Sequence, residues 1–210
     1  MKKIIVGISQ RVDRISSYDE YRDALDQRLV DFVVRSGFIP VPIPNTLIDL
    51  NSSSKNIDNW LNEINIDVIL LSGGNNIGDI KQRDLTEKYL LLWAEKYKKP
   101  VLGICRGMQM MGIYAGGNLE EVDGHVGARH QLKMKEMDIN FLPESVNSYH
   151  NLALKECPDA YQVLAKSEDG CIEAIKHKKL SWEGWMWHPE REVLNNIDQM
   201  RFKRMVNHVK

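Results

Sequence analysis

The first half of the chain alternates between short apolar runs and stretches that place apolar residues every three or four positions. The short runs predict strands over 3–9, 38–43, 67–71 and 100–104. The longer spacing predicts helices over 21–36, 57–64, 84–97 and 106–114, and glycine follows the first and the last of them. Strands that alternate with helices through short connections form βαβ units. We therefore predict an α/β fold with a mainly parallel central sheet flanked by helices.

After Gly117 the pattern changes to short apolar runs separated by tight turns. These runs predict strands over 131–135, 160–167, 171–176 and 180–187, which we expect to form a small antiparallel extension of the sheet. A helical pattern over 193–206 predicts a closing helix. The sequence contains no repeat, linker or low-complexity tract, so we expect one domain over 1–210.

Composition and charge argue against several classes of binding partner and of structural site. The 28 lysines and arginines nearly balance the 29 aspartates and glutamates, so no global basic field favours nucleic acid or an anionic membrane. The apolar amino-terminal run is too short for a signal peptide, and no run of about 18 apolar residues predicts a spanning helix. The three cysteines have wide, irregular spacing, which argues against a disulfide framework or a zinc site. We expect a cytoplasmic protein.

A turn between an apolar strand and a helix has the pattern of a nucleophile. Residues 103–107 read Gly-Ile-Cys-Arg-Gly, so Cys105 occupies the nucleophile position of a strand–turn–helix elbow. The flanking glycines are expected because a Cβ at either position would collide with the neighbouring strand or helix. The amino end of the next helix and the charge of Arg106 favour a thiolate at Cys105. The alternative is a buried cysteine that only packs between strand and helix.

A nucleophile of this kind needs a base and a group that orients the base. Residues 187–190 read Trp-His-Pro-Glu at the end of an apolar run. In an extended chain His188 and Glu190 leave the same face, so Glu190 can hold one ring nitrogen while the other faces Cys105. A solvated surface pair is the alternative interpretation of these two residues.

The chemistry also needs donors for a developing oxyanion. The backbone amide of Arg106 is the natural first donor because it follows the nucleophile at a helix start. We expect the second donor at Gly74, in the Ser-Gly-Gly-Asn turn over 72–75, because glycine lets the backbone approach a substrate carbonyl. The alternative is a plain turn that ends the strand.

Five segments carry a family resemblance. They are Gly-Ile-Cys-Arg-Gly-Met-Gln at 103–109, Gly-Gly-Asn-Leu at 116–119, Val-Asn-Ser-Tyr-His-Asn at 146–151, Asp-Gly-Cys-Ile-Glu-Ala at 169–174 and Trp-His-Pro-Glu at 187–190. In this order they resemble the class I glutamine amidotransferase fold, which is flavodoxin-like. More narrowly they resemble its free-standing γ-glutamyl hydrolase branch, which includes γ-glutamyl-GABA hydrolases. The resemblance extends from about residue 4 to about residue 192.

The resemblance implies hydrolysis of a γ-glutamyl amide-type bond through a glutamyl thioester that water resolves. It implies a catalytic triad of Cys105, His188 and Glu190, without a metal or cofactor. Gln109 would help to bind the glutamyl group, and a loop would hold its α-amino and α-carboxylate groups through Asn147, Ser148, Tyr149 and His150. His150 is an alternative base, although no acid follows it as Glu190 follows His188.

The chain departs from that branch in two respects. Met186 stands where the family usually has glutamine, and Trp185 replaces a small aliphatic residue, so packing beside His188 is expected to differ. At 210 residues the chain is also shorter than typical members of the branch, and it approaches the length of the glutaminase subunit of imidazole-glycerol-phosphate synthase.

Arginines near the first strand bear on the substrate. Arg11 follows that strand at the carboxyl edge of the sheet, where ligands of open α/β sheets bind, and Arg22 begins the predicted helix over 21–36. Both are candidates to meet a phosphate on the leaving group. This stretch is similar to hydrolases of bacterial capsule phosphoramidate synthesis, which release glutamate from γ-glutamyl-CDP-amidate. The alternative is a solvated helix face with charge pairs four residues apart.

Other function classes stay open at this stage. A glutaminase subunit would deliver ammonia to a separate synthase chain. A non-catalytic binding domain on the same fold would usually lose the cysteine or the histidine, and both are present. A metal hydrolase is disfavoured because the six histidines show no ligand spacing. The expected partners are a small γ-glutamyl molecule and water, and the sequence also allows a homodimer.

Overall fold

The computed structural model describes residues 3–48, 55–134, 142–192 and 196–207, and the statements below concern those residues. The helices are α1 (Gln27–Arg35), α2 (Lys55–Ile64), α3 (Lys81–Lys96), α4 (Arg106–Tyr114) and α5 (Asn196–Asn207). The strands in the first half are β1 (Ile5–Ser9), β2 (Arg11–Ile15), β3 (Glu20–Ala24), β4 (Ile39–Ile43), β5 (Val68–Leu71) and β6 (Val101–Ile104). The later strands are β7 (Leu119–Glu121), β8 (Val126–Gln131), β9 (Lys133–Met134), β10 (Ser145–Tyr149), β11 (Leu152–Leu154), β12 (Tyr161–Lys166), β13 (Ile172–His177) and β14 (Trp182–Trp185).

Eight of these strands form the central sheet, in the order β4-β1-β5-β6-β14-β13-β12-β9. The strands from β4 to β14 in that order run parallel, and β13, β12 and β9 continue antiparallel. This confirms the predicted parallel sheet with an antiparallel extension. Three two-stranded sheets lie outside it, formed by β10 with β8, β11 with β7 and β2 with β3.

Both faces of the central sheet are buried, as expected for parallel strands covered by helices. Val68 and Leu70 of β5 face a core layer that contains Phe32 of α1 and Phe202 of α5. The alternate residues of β5 face a second layer, with Ile57 and Leu61 of α2, Leu90 and Leu91 of α3, and Met108 and Met111 of α4. The helices therefore fix the sheet from two sides. No described helix has the length and apolar character to cross a bilayer.

The prediction of one helix over 21–36 was wrong at its start. Residues Glu20–Ala24 form β3, which pairs antiparallel with β2 in a hairpin. Helix α1 begins only at Gln27, because the carboxylate of Asp26 caps it by accepting the backbone N–H of Arg28 at 3.0 Å. Every residue of β3 except Ala24 is exposed, so the strand lacks the apolar alternation from which strands are predicted.

Several boundaries in the second half also differ from the prediction. The run over 131–135 spans the end of β8 and all of β9, and residue 135 lies outside the described residues. The loop expected over 147–150 is largely strand β10, which pairs with β8. The closing helix is confirmed from residue 196, whereas 193–195 lie outside the described residues.

Candidate active site

Cys105 lies at the carboxyl end of β6, directly before α4, in a backbone conformation that L-residues rarely adopt. Its φ is +51° and its ψ is −108°. Two hydrogen bonds hold this conformation: its N–H donates to the carbonyl of Trp185 at 2.7 Å, and its own carbonyl accepts the N–H of Gln109 at 3.2 Å. Strain of this kind costs about 1–3 kcal/mol and is concentrated at functional sites. The turn therefore has the backbone of a nucleophile elbow.

The two glycines beside Cys105 are required by close packing. A methyl group on Gly103 would lie 2.6 Å from the carbonyl carbon of Gly107. One on Gly107 would lie 2.8 Å from Cβ of Leu71 and would also overlap the carbonyl of that residue. The collisions predicted from the sequence are confirmed. The turn brings α4 against β5 and β6 more closely than any side chain would permit.

The sheet brings His188 to this turn. Strand β14 is the parallel neighbour of β6, with Trp185 opposite Ile104, so the segments that follow the two strands leave the sheet side by side. Nδ1 of His188 lies 2.7 Å from Oε1 of Glu190, and the ring is close enough to Cys105 for that residue to help raise its pKa. Residues Pro189–Arg191 form a 3-10 turn rather than the expected extended chain. The hydrogen bond expected between His188 and Glu190 is present in that turn.

Burial and charge act in opposite directions on His188. Desolvation of the ring is the largest effect and lowers its pKa. Hydrogen bonds to Cys105 and Glu190, together with the charges of those two groups, outweigh it and raise the pKa of His188 to about 9. At neutral pH the ring is therefore an imidazolium, which is the partner that a thiolate needs.

The turn at 72–75 lies against both side chains. A methyl group on Gly73 would lie 2.7 Å from Cε1 of His188 and 3.7 Å from Cβ of Cys105. Gly74 has a φ of +103°, which favours glycine. The backbone at Gly73 therefore lies beside both His188 and Cys105.

A buried charge network holds the 72–75 turn from behind. Arg83 of α3 donates to the carbonyl of Ser72 at 2.8 Å and to the carbonyl of Gly73 at 2.9 Å. Its Nε lies 3.0 Å from Oε1 of Glu87, and both side chains are fully buried. The hydroxyl of Ser9 donates to the same carboxylate at 2.8 Å and accepts the N–H of Ser72 at 3.0 Å. These bonds fix the turn relative to β1 and α3.

The guanidinium of Arg106 belongs to the same network. It forms buried ion pairs with Asp84 and Glu87 and is 2% exposed. The charge of Arg106, which we expected near the thiol, is thus paired with two carboxylates of α3. Its backbone N–H remains at the start of α4, directly after Cys105.

Two further predicted residues lie on the other side of His188. The side chain of Asn147 donates to the carbonyl of His188 at 2.8 Å and accepts its N–H at 3.0 Å. The ring of Tyr149 packs edge-on against His188 with centroids 5.9 Å apart, and it is 46% exposed. Asn147 therefore positions the backbone of the histidine, whereas Tyr149 is available to a ligand.

Gln109 lies one turn after Cys105 on α4. Its Nε2 donates to the carbonyl of Leu152 at 2.8 Å and lies 3.9 Å from the sulfur of Met186. Met186, which departs from the family's glutamine, therefore contacts a residue that the resemblance assigns to the glutamyl group.

The two arginines proposed for the leaving group differ in position. Side-chain atoms of Arg11 would lie within 3.1 Å of a methyl group on Gly74, so Arg11 borders the site, where it pairs with Asp13 at 3.1 Å. Arg22 lies on the exposed strand β3, opposite Asp13, and pairs with Glu20 at 2.8 Å. The hairpin carries both residues, but only Arg11 lies beside the 72–75 turn in the described structure.

Comparison with known proteins agrees with this geometry. The family model for peptidase C26 matches residues 4–190. The chain belongs to the peptidase C26 family. Among curated relatives, it is 34% identical over 208 residues to γ-glutamyl-CDP-amidate hydrolase of Campylobacter jejuni, covering 94% of this chain and 96% of that protein. It is 30% identical over 213 residues to protein NtpR of Enterococcus hirae, covering 84% of this chain and 85% of that protein.

A solved structure with the same fold is that of a putative GMP synthase subunit from Thermoplasma acidophilum. The TM-score is 0.73 at 20% identity, and the alignment covers 100% of this chain and 96% of that one. This likeness concerns the fold alone. The C26 relatives and the hydrolase among them make this chain a glutamine amidotransferase-like hydrolase.

The remaining residues of the segment at 147–150 point away from the thiol of this C26 protein. The hydroxyl of Ser148 donates to the carbonyl of His125 at 2.6 Å. Nδ1 of His150 lies 3.1 Å from the carbonyl of Leu152, and its Nε2 lies 3.6 Å from Glu173. It is His188, not His150, that contacts Cys105.

Sequence reasoning missed three residues that border the site. Arg83 and Glu87 are four apart on α3, a spacing that usually marks an exposed pair. Arg191 follows Glu190 and places its guanidinium carbon 4.5 Å from the ring centre of Tyr149. Its adjacency to the Trp-His-Pro-Glu motif was the available signal for this cation.

Proposed function

We propose that this chain is a cysteine hydrolase that releases glutamate from a γ-glutamyl amide-type bond through a glutamyl thioester. The observation that supports it most is the contact of His188 with both Cys105 and Glu190 at a strained elbow. The relationship to a γ-glutamyl-CDP-amidate hydrolase supports the γ-glutamyl part of the proposal.

The first half-reaction forms the thioester. The Cys105 thiolate attacks the γ-carbonyl carbon, and the carbonyl oxygen takes the negative charge. The backbone N–H groups of Arg106 and Gly74 donate to that oxygen. When the tetrahedral intermediate collapses, the carbon–nitrogen bond breaks and the His188 imidazolium gives its proton to the leaving nitrogen.

The second half-reaction releases glutamate. Neutral His188 takes a proton from water, and the resulting hydroxide attacks the thioester carbon. The carbon–sulfur bond then breaks, which restores the Cys105 thiolate and the imidazolium. Glu190 keeps one ring nitrogen hydrogen-bonded in both halves, so the other stays directed at the reacting atoms.

The glutamyl group has a small set of candidate contacts. Gln109 follows Cys105 by one helical turn, the half-exposed Tyr149 packs against His188, and the guanidinium of Arg191 lies over the Tyr149 ring. We assign the α-carboxylate to Arg191 and Tyr149, because a guanidinium is the preferred partner of a carboxylate. Asn147 acts through His188 and is a positioning residue.

We further propose that the leaving group carries a phosphate or nucleotide, with Arg11 as its contact. Arg11 lies beside Gly74, on the side of the site where the hairpin β2–β3 leaves the sheet. A γ-glutamyl-GABA-type amide is the alternative substrate. A glutaminase role beside a synthase is the other candidate, because the chain is 32% identical over 142 residues to a glutamine-hydrolysing GMP synthase subunit of Methanococcus maripaludis, covering 66% of this chain and 71% of that protein.

One substrate panel tests these proposals together. Released glutamate is measured for γ-glutamyl amides, γ-glutamyl-GABA, glutamine and γ-glutamyl phosphoramidates. We expect turnover of the γ-glutamyl compounds by the wild type, and loss of several orders of magnitude in Cys105→Ala, because the bond-forming atom is gone. Arg11→Ala should lower kcat/KM about 10- to 100-fold for phosphorylated substrates only.

The hairpin supplies a matched control for Arg11. Arg14→Ala removes an exposed arginine that pairs with Asp19 on the same hairpin, and Arg22→Ala removes the second candidate. Equal losses for neutral and phosphorylated substrates in Arg11→Ala would remove the phosphate contact. Activity on glutamine that arises only with an added synthase chain would favour the glutaminase role.

A further inference from the structure

Three buried side chains that the proposed hydrolysis does not use converge behind strand β10. They are His125, just before β8, His150, just after β10, and Glu173 on β13. Their exposed fractions are 1%, 3% and 0%. One nitrogen of each ring and one carboxylate oxygen lie within 4.8 Å of one another. His150 follows His125 by 25 residues and precedes Glu173 by 23 residues, yet the three side chains meet in the fold. This spacing resembles no known ligand motif.

The outer nitrogen of each histidine has an acceptor as its partner. Nε2 of His125 lies 2.8 Å from the carboxylate of Asp169, which is exposed and ionised at neutral pH. Nδ1 of His150 lies 3.1 Å from the carbonyl of Leu152. Since a carboxylate and a carbonyl only accept, each outer nitrogen carries the hydrogen. In neutral rings the inner nitrogens, Nδ1 of His125 and Nε2 of His150, therefore present lone pairs.

The inner atoms form a cluster of acceptors without donors. Nδ1 of His125, Nε2 of His150 and both carboxylate oxygens of Glu173 are buried and make no hydrogen bond within the described residues. Nε2 of His130 is buried without a hydrogen bond as well, and the His125 and His130 ring centres are 4.2 Å apart. Buried acceptors that face one another are costly, because neither water nor a donor compensates for their lost hydration.

Two of the three spacings between these atoms are close to those in the coordination shell of a small divalent cation, and the third is within 4.8 Å. Oε1 of Glu173 lies 3.5 Å from Nδ1 of His125 and 3.6 Å from Nε2 of His150. Ligand atoms at the zinc distance of about 2.0–2.1 Å from a tetrahedral centre are about 3.3–3.4 Å apart. The outer hydrogen bonds of both rings, to a carboxylate and to a backbone carbonyl, are those that metal-bound histidines make.

We propose that His125, His150 and Glu173 bind one zinc-class divalent cation, with water or His130 as the fourth ligand. His125 and His150 adjoin the two strands of the β8–β10 sheet, and Glu173 belongs to the central sheet. The cation therefore connects the smaller sheet to the larger one. Its role is structural support of β10, the strand that holds Asn147 and Tyr149 against His188.

Metal binding is tested first in the Cys105→Ala protein, so that the active-site thiol adds no zinc ligand. After treatment with a chelator, the protein is titrated with ZnCl2 by calorimetry and its melting temperature is followed. We expect one Zn²⁺ per chain and a higher melting temperature. With Co²⁺ we expect the visible bands of a tetrahedral nitrogen–oxygen site without thiolate charge transfer.

Substitutions separate this cluster from adventitious binding at the surface. Glu173→Gln should abolish stoichiometric binding. Asp169→Asn changes an exposed partner of a ligand and should weaken zinc affinity about 10- to 100-fold while the fold survives. Asp159→Asn changes an exposed aspartate at the opposite end of β12; it is the matched control and should bind as the parent does.

Two results would overturn the proposal. One is the absence of Zn²⁺ and Co²⁺ uptake by the parent protein, which would mean that protons shared within the cluster satisfy its acceptors. The other is zinc affinity that is equal in the parent, Glu173→Gln and Asp169→Asn, which would place the bound metal elsewhere. Both can be read without an activity assay, so failure of the proposed hydrolysis would be distinguishable.

Discussion

At the scale of single residues, burial and neighbouring groups shift the pKa of His188 in opposite directions. Burial disfavours a charged ring, whereas Glu190 and Cys105 favour it strongly enough to raise its pKa to about 9. A histidine pKa that is raised in the folded state stabilises the fold fully below about pH 6.5, and this contribution is lost as pH rises through about 9. The imidazolium that we propose as the proton donor to the leaving group is lost over the same range.

Glu190→Gln tests this balance. The amide keeps a hydrogen-bond acceptor but removes the charge, so the pKa of His188 falls. We expect the alkaline limb of the kcat/KM profile, near pH 9 in the wild type, to move to lower pH. The rate at its optimum should fall far less than in Cys105→Ala, because the base remains. An unmoved alkaline limb would show that Glu190 does not set the protonation of His188.

The sequence was sufficient to identify some residues of the site and not others. Cys105, His188 and Glu190 stand in short local motifs, and the hydrogen bond expected between His188 and Glu190 is present. The partners of Asn147 and Arg106 lie 41 and 22 residues away in the chain, so no local pattern indicated what their side chains contact. Their roles depend on sheet order.

At the scale of elements, helix α3 positions the turn that faces the thiol. Arg83 and Glu87 form its buried pair, and Arg83 supplies the donors for the carbonyls of Ser72 and Gly73. A buried ion pair offsets its desolvation cost only when hydrogen bonds satisfy the remaining donors and acceptors of both charged groups. The helix therefore acts on the site through two carbonyl groups rather than through a substrate contact.

Arg83→Met tests this support. Glu87 keeps Arg106 and Ser9 as partners, but the carbonyls of Ser72 and Gly73 lose their buried donor, so the free energy of unfolding should fall by roughly 1–3 kcal/mol. The substitution should also lower kcat more than it raises KM, because the 72–75 turn loses its fixed position. Unfolding in urea and steady-state kinetics measure the two effects.

A control and a contrary outcome are available for α3. Arg35→Met removes an exposed pair with Asp31, also four residues apart, and should cost about 0.3–0.5 kcal/mol without loss of activity. If Arg83→Met is destabilised but keeps the wild-type kcat, the turn is held by its other bonds and α3 has no positioning role.

Elements were predicted well where their residues are apolar and poorly where their residues are polar. Strands β1, β5 and β6 are buried on both faces and read as apolar runs. Strand β3 is almost fully exposed, and β10 takes its partner β8 from a polar stretch about 15 residues earlier. Pairing between two polar strands leaves no periodic signal in either one.

At the scale of the whole molecule, α5 packs against the segment that carries His188. Asp198 of α5 accepts a hydrogen bond from the indole of Trp187 at 3.2 Å. Desolvation is the main cause that raises the pKa of Asp198 to about 7, because the carboxyl group is buried. The carboxyl group therefore takes up a proton on folding between about pH 4 and pH 7.

This proton gives a pH dependence to the stability of the whole fold. An acid whose pKa is raised in the folded state stabilises it fully below about pH 4, and this contribution is lost as pH rises through about 7. Asp198→Asn should reduce the change in the free energy of unfolding between about pH 4 and pH 7 by up to about 4 kcal/mol. Urea unfolding of both proteins at several pH values measures the difference, and parallel curves would contradict it.

Strand β10 presents alternate side chains to two different sites. Asn147 and Tyr149 contact His188, whereas Ser148 and His150 face His125. When one residue is inserted into a strand or deleted from it, every later side chain turns to the opposite face of the sheet. An insertion or deletion of one residue between 147 and 150 would therefore exchange the side chains that His188 and His125 receive, and would disrupt both sites at once.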